Sequence, residues 1–158
     1  MRVFHASDCI VDCPDTEHSR DALDFGRGFY VTTLEDQALN YANRFMRRGM
    51  QAYVNEYELD ESALSNLEVM RFNSYDNDWI RFVLECRNEN DNTQWDVVIG
   101  GVADDRVFTT LDLFFAGEIT EEEALGRLVY VKPNDQICIR TQHALDMLLT
   151  FVEGRKLS

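Results

Sequence analysis

The 158-residue sequence predicts one α+β domain spanning residues 1–158, and three observations carry that expectation. Segments with a hydrophobic period of two are mixed with segments of period 3.6, without the regular strand–helix–strand rhythm of a doubly wound sheet. No internal repeat and no Pro- or Gly-rich linker divides the chain. Hydrophobic residues make up 45% and charged residues 28%, a balance that supports a buried core at this length without staples.

The elements follow in order. The opening "MRVFHAS" reads as a strand with Val3 and His5 on one face and Phe4 on the other. Asp8 to Asp24 is polar apart from a few residues such as Ile10, Val11 and Pro14, and reads as a long loop, of a length that is usually functional or mobile. "DFGRGFYVTT" places two glycines around Arg27 before an aromatic, β-branched strand. A helix over about 34–48 follows, with Thr33 as its cap, Asp36 as the reciprocal carboxylate and Gly49 as its stop. Ala38, Tyr41, Ala42 and Phe45 recur in it at helical spacing, which turns Tyr41 inward.

"QAYVNEYEL" and "LEVMRF" are expected strands separated by a turn at Asp60 to Ser62. Trp79, Phe82, Val83 and Cys86 make "NDWIRFVLECR" an amphipathic helix, and "QWDVVIG" is a strand closed by Gly100 and Gly101. "DDRVFTTLDLFFAG" aligns Val107, Leu111, Phe114 and Phe115 on one helix face, and "TEEEALGRLVYV" opens with the capping pair Thr120 and Glu123. "QICIRT" reads as a strand, and "HALDMLLTFV" as a final helix begun by Thr141.

The formal net charge is −14, and its even distribution disfavours broad nucleic-acid binding. The one dense basic patch, "RFMRRG" from Arg44 to Gly49, reads as a solvated helix end. Cys86 and Cys138 sit among apolar neighbours, and the four cysteines lack the spacing of a zinc or redox motif, so no metal is expected. No apolar run approaches the roughly 20 residues of a membrane span, no signal peptide precedes Cys9 and Cys13, and a cytoplasmic location is expected.

P-loop, G-x-G-x-x-G, H-E-x-x-H and G-x-S-x-G motifs are absent. The remaining constellation is His5 in "FHAS", the "FGRGFYVT" segment and "ALNYA" with Tyr41. These segments, with "NDQICIRT", resemble the signature segments of the ADP-ribosyltransferase fold in its diphtheria-toxin and poly(ADP-ribose) polymerase branch. "WDVVIGGVADD", "EEALGRL" and "NDQICIRTQHAL" make nearly the whole chain similar to a bacterial family known as domain of unknown function 3990, of the same fold group.

The resemblance implies split mixed and antiparallel sheets, flanked by helices, around an NAD cleft. It implies that His5 bonds an adenosine-side ribose hydroxyl and that the backbone of Ala6, followed by Ser7, bonds the nicotinamide amide. Tyr30 would stack on the nicotinamide ring and Tyr41 would wall the other side. Gly26, Arg27 and Gly28 would bring the loop close to the cofactor. The late strand of active polymerases starts with a glutamate. Here Asp135 or Gln136 takes its place, and Gln136 is favoured because it shares a strand face with Cys138 and Arg140. An amide in place of a carboxylate forfeits about 1.5–3 kcal/mol of charge-assisted stabilisation.

Glu56, too early in the element order, reads as structural. Asp104 and Asp105 read as a helix start, with a cleft carboxylate as the alternative. The implied function is mono-ADP-ribosyl transfer from NAD to a macromolecular acceptor, in the role of a bacterial toxin with an antitoxin partner. The alternatives are a silent NAD-binding or interaction module and, last, an RNA 2′-phosphotransferase-like enzyme.

Overall fold

A computed structural model describes residues 1–103, 105–129 and 134–158; Asp104 lies outside them, as does the side chain of Asp105. Two sheets form the centre. The first is antiparallel, in the order β1 (Arg2–Ser7), β3 (Tyr53–Leu59) and β7 (Leu149–Lys156). The second is mixed, in the order β2 (Phe29–Val31), β6 (Gln136–Ile139), β5 (Val97–Gly100) and β4 (Val69–Arg71), with β4 parallel to β5. A bridge between Phe4 and Thr32 joins the sheets at β1 and β2.

Alternation along the strands sorts the core into layers. Val3, Phe29, Val31, Tyr57, Ile137 and Ile139 pack between the sheets under α5 (Gln142–Leu148). Val98 and Cys138, on the other face of the second sheet, pack with α2 (Asn77–Arg87), α3 (Asp105–Phe115) and α4 (Glu121–Leu128). On the outer face of the first sheet, Phe4 and Val54 meet Ala38 and Ala42 of α1 (Glu35–Arg47).

Caps agree with expectation where a short polar side chain can reach back. Thr120 accepts from the amide of Glu123 and Thr141 from that of Ala144. Gly49, at φ +73°, follows the end of α1. Glu56 is buried and accepts from Arg2 Nε at 2.5 Å, a structural ion pair.

Four expectations are corrected. Leu34, without a side-chain bond, caps α1, because the hydroxyl of Thr33 is engaged by Asp135 instead. Tyr41 is 48% exposed; the small side chains Ala38 and Ala42 form the contact face, and the larger ring is left on the flank. The turn at Asp60 extends into a 3₁₀ segment, Glu61–Asn66, which Asp60 caps through Ser62. The final helix ends at Leu148, and the chain continues as β7, because β3 offers a free edge for a segment whose Leu149 and Phe151 alternate inward.

Candidate functional site

The segment "DFGRG" is built from both ends inward. Asp24 receives Arg87 Nε at 2.9 Å, and the Arg87 guanidinium lies 4.2 Å from the ring centroid of Phe108, so the loop is anchored to the end of α2. Phe25 is fully buried. Gly26 adopts φ +75°, the left-handed turn that glycine takes without a Cβ penalty. Arg27 is exposed and donates to the carbonyl of Glu17 at 2.8 Å. At Gly28 a Cβ would lie 2.6 Å from Cys138 Sγ and 2.7 Å from the carbonyl oxygen of Ile139. Gly28 is therefore accounted for by close packing on β6, and needs no ligand to explain it.

Tyr30 closes this turn. Its hydroxyl donates to the carbonyl of Gly26 at 2.5 Å and accepts from the amide of Phe25 at 3.1 Å. The ring packs on the α2–α3 side of the second sheet, beside its register partner Cys138. Burial pushes the phenol well above its ordinary range.

His5 lies on the other face of β2, with its ring centroid 4.3 Å from that of Phe29. Its Nδ1 is 2.7 Å from the carbonyl oxygen of Tyr30. A carbonyl can only accept, so Nδ1 carries the proton and Nε2 is left with a lone pair. Burial lowers the imidazole pKa, which keeps the ring neutral at pH 7 and Nε2 an acceptor.

Ala6 follows. Phe4 exchanges both backbone bonds with Thr32, at 2.8 and 2.9 Å. In an antiparallel ladder the N–H and C=O of residues two apart point to the same edge, so those of Ala6 face β2 as well. Among the described residues no backbone bond joins Ala6 to β2. The carbonyl that would pair with it belongs to Tyr30 and is taken by His5. Strands β1 and β2 thus part beyond the bridge, leaving a donor, an acceptor and Nε2 of His5 at one edge.

The next residues are held by Asn55, buried within β3. Its amide reaches Ser7 Oγ at 2.8 Å and the carbonyl of Cys9 at 3.2 Å, and its oxygen accepts from the amide of Val11 at 2.9 Å. Ser7 donates to the carbonyl of Cys9 and is occupied by this turn. Asn55 was missed in the sequence, although an amide between Tyr53 and Tyr57 on a strand face that continues to Leu59 is a signal for such a clamp.

At the entry to β6 the two candidate side chains separate. Gln136 is buried, on the face shared with Cys138, and its amide donates to the carbonyl of Gly101 at 3.3 Å. Asp135 accepts from Thr32 Oγ1 at 2.6 Å, from the amide of Thr33 at 3.1 Å and from Thr33 Oγ1 at 2.5 Å. Gln37 of α1 donates to its carbonyl at 2.7 Å. Asp135 supplies the carboxylate at this position, and the threonine pair directly after β2 was the sequence signal for it.

His5, Ala6 and the Tyr30 carbonyl are thus brought together, while the Tyr30 ring and Gln136 serve the opposite face. Tyr41 stands one helical turn beyond Gln37. A cavity of about 370 Å³ between β4 and α2, bordered by Met70, Phe72 and Phe82, contains none of these residues. Among the described residues no His, Cys, Asp and Glu cluster could hold a metal ion, and no helix is long and apolar enough to cross a membrane.

No curated protein and no solved structure matches the chain. The model of one protein family does, over residues 1–151. With that match covering nearly its whole length, the chain belongs to the family described as "Protein of unknown function (DUF3990)".

Proposed function

We propose that the chain binds NAD at the edge where β1 parts from β2 and transfers its ADP-ribose to a macromolecular acceptor. The glycosidic bond between nicotinamide and ribose breaks, an acceptor nucleophile forms a new bond to the anomeric carbon and loses its proton, and nicotinamide leaves.

One observation carries this reading: the neutral His5 offers Nε2 as an acceptor beside the main-chain donor and acceptor of Ala6. A ribose hydroxyl needs the first, and a carboxamide needs the other two. Asp135 would oppose the positive charge that develops on the sugar. It lies at the level of Thr33, just past the end of β2. Tyr41, exposed beside Gln37, would form the outer wall. The role of toxin with an antitoxin partner rests on the sequence resemblance.

A second reading, NAD binding without turnover, is favoured by the carboxylate itself. Both oxygens of Asp135 already accept from threonine hydroxyls, which weakens their field at a sugar cation. Melting with and without NAD, together with a nicotinamide-release assay, separates the readings. Transfer requires both a raised Tm and release, each lost in His5→Ala. A raised Tm without release leaves the silent module, and no effect of NAD on Tm sinks both.

A further inference from the structure

We propose that one flank of α1 docks a short single strand of nucleic acid, the acceptor class for the reaction above. Beyond its acidic first turn, this helix carries only basic charge. No carboxylate occurs between Asp36 and Glu56, yet Arg44, Arg47 and Arg48 all fall there, in a chain of 29 acidic and 15 basic residues.

Helical geometry then sorts the side chains. At about 100° per residue, Gln37, Tyr41, Arg44 and Arg48 fall within about 60° of arc. Met46 projects from the opposite flank. The inner end of the stripe is placed by contact, because Gln37 bonds the main chain of Asp135 at 2.7 Å. From there it runs outward through the exposed ring of Tyr41 to Arg44, whose guanidinium lies 5.2 Å from that ring's centroid, and to the exposed Arg48.

An exposed phenol followed by guanidiniums matches a nucleic-acid strand better than a protein surface. The ring meets a base and the cations meet successive phosphates, whereas a protein interface would want the aliphatic Met46 on the same flank. The acidic remainder of the molecule repels a long polyanion, so contact is confined to a few nucleotides and is salt-sensitive. Tyr41 would stand between the cofactor and the strand. Only the claim that the strand is the acceptor rests on the NAD reading; docking itself does not.

Fluorescence anisotropy with labelled oligothymidylate and oligouridylate of about 12 nucleotides tests docking without NAD. Binding is expected at low salt. Arg44→Ala with Arg48→Ala should weaken it at least about tenfold and flatten the log–log salt slope by about 1.4, two phosphate contacts at roughly 0.7 each. Arg44→Lys with Arg48→Lys should keep most of that slope. Both double variants should melt as the parent does and keep its NAD-induced Tm shift, so a parent that ignores NAD overturns the cleft and leaves docking standing. Docking is overturned if neither oligonucleotide binds, or if the alanine pair binds as tightly as the parent. Arginine-dependent capture of oligoglutamate in preference to both strands would assign the flank to an acidic protein instead.

Discussion

The imidazole of His5 donates from Nδ1 to the main-chain carbonyl of Tyr30 across 2.7 Å, and that single bond sets both the tautomer of the ring and the point at which β1 and β2 part. His5→Gln removes the imidazole while its amide can still meet the carbonyl. The expected outcome in calorimetry is a fold that persists with its NAD affinity reduced at least about tenfold, the equivalent of one hydrogen bond to an oriented acceptor.

The same bond makes a pH prediction. Burial lowers the His5 pKa below 6.5 in the folded state, so between that lowered value and 6.5 the unfolded chain binds more protons. Stability from this group is intact above pH 6.5 and falls as pH drops below it, by at most about 1.4 kcal/mol per pH unit. Denaturant unfolding of the parent and of His5→Gln between pH 7 and pH 5 checks this. Their difference in stability should change with pH, and parallel curves would contradict the assignment of a half-buried neutral ring.

Asp135 and Gln136 make opposite predictions. Asp135→Asn keeps the shape and loses the charge, so nicotinamide release should drop about ten- to a hundredfold with a smaller effect on NAD binding. Gln136→Glu restores a glutamate one residue on, but it aims a carboxylate at the carbonyl of Gly101. That variant should lose about 1–3 kcal/mol of stability and gain no activity, as thermal melts and the release assay would register.

The two glycines around Arg27 should differ in how they fail. Gly26→Ala strains a left-handed backbone in ordinary space, a loss of about 1–2 kcal/mol. Gly28→Ala drives a methyl group into Cys138 and the β6 main chain, which forces β2 off its partner and costs about 1–3 kcal/mol or more. Urea unfolding of both variants ranks them, and equal losses would contradict the packing account.

Alkylation reads the burial of the cysteines. Cys9 and Cys13 are exposed, whereas burial pushes the thiols of Cys86 and Cys138 up to about 12. Iodoacetamide at neutral pH should label the first pair in the folded protein and the second pair only after unfolding, as peptide mass mapping would show.

Much of the fold was legible because it is written in local chemistry. The spacing of Trp79, Phe82, Val83 and Cys86 specifies α2 whatever lies around it, and Thr120 and Thr141 cap their helices within one turn. The alternation in "MRVFHAS" put Val3 and Phe4 on opposite faces, as they stand between the sheets and against α1. At the site, the segments that meet were recognisable, but the side chains that serve them were not. Gln136 looked like the polar group facing a cleft, and Tyr41 looked turned inward, because periodicity names faces without saying what covers them.

From its own order of residues, then, this protein determined the α+β class, most of the strands and helices, and the left-handed turn at Gly26. Each depends on contacts within a few positions. Three matters waited on partners far along the chain: whether "LTFV" would continue a helix or add a strand, which of Asp135 and Gln136 would meet the threonines, and which flank of α1 would be covered. Those choices are made by pairing with β3, by the register of β6 on β2, and by the close seat of Ala38 and Ala42 on the first sheet. Such non-local packing outweighs the weak local preferences it overrides.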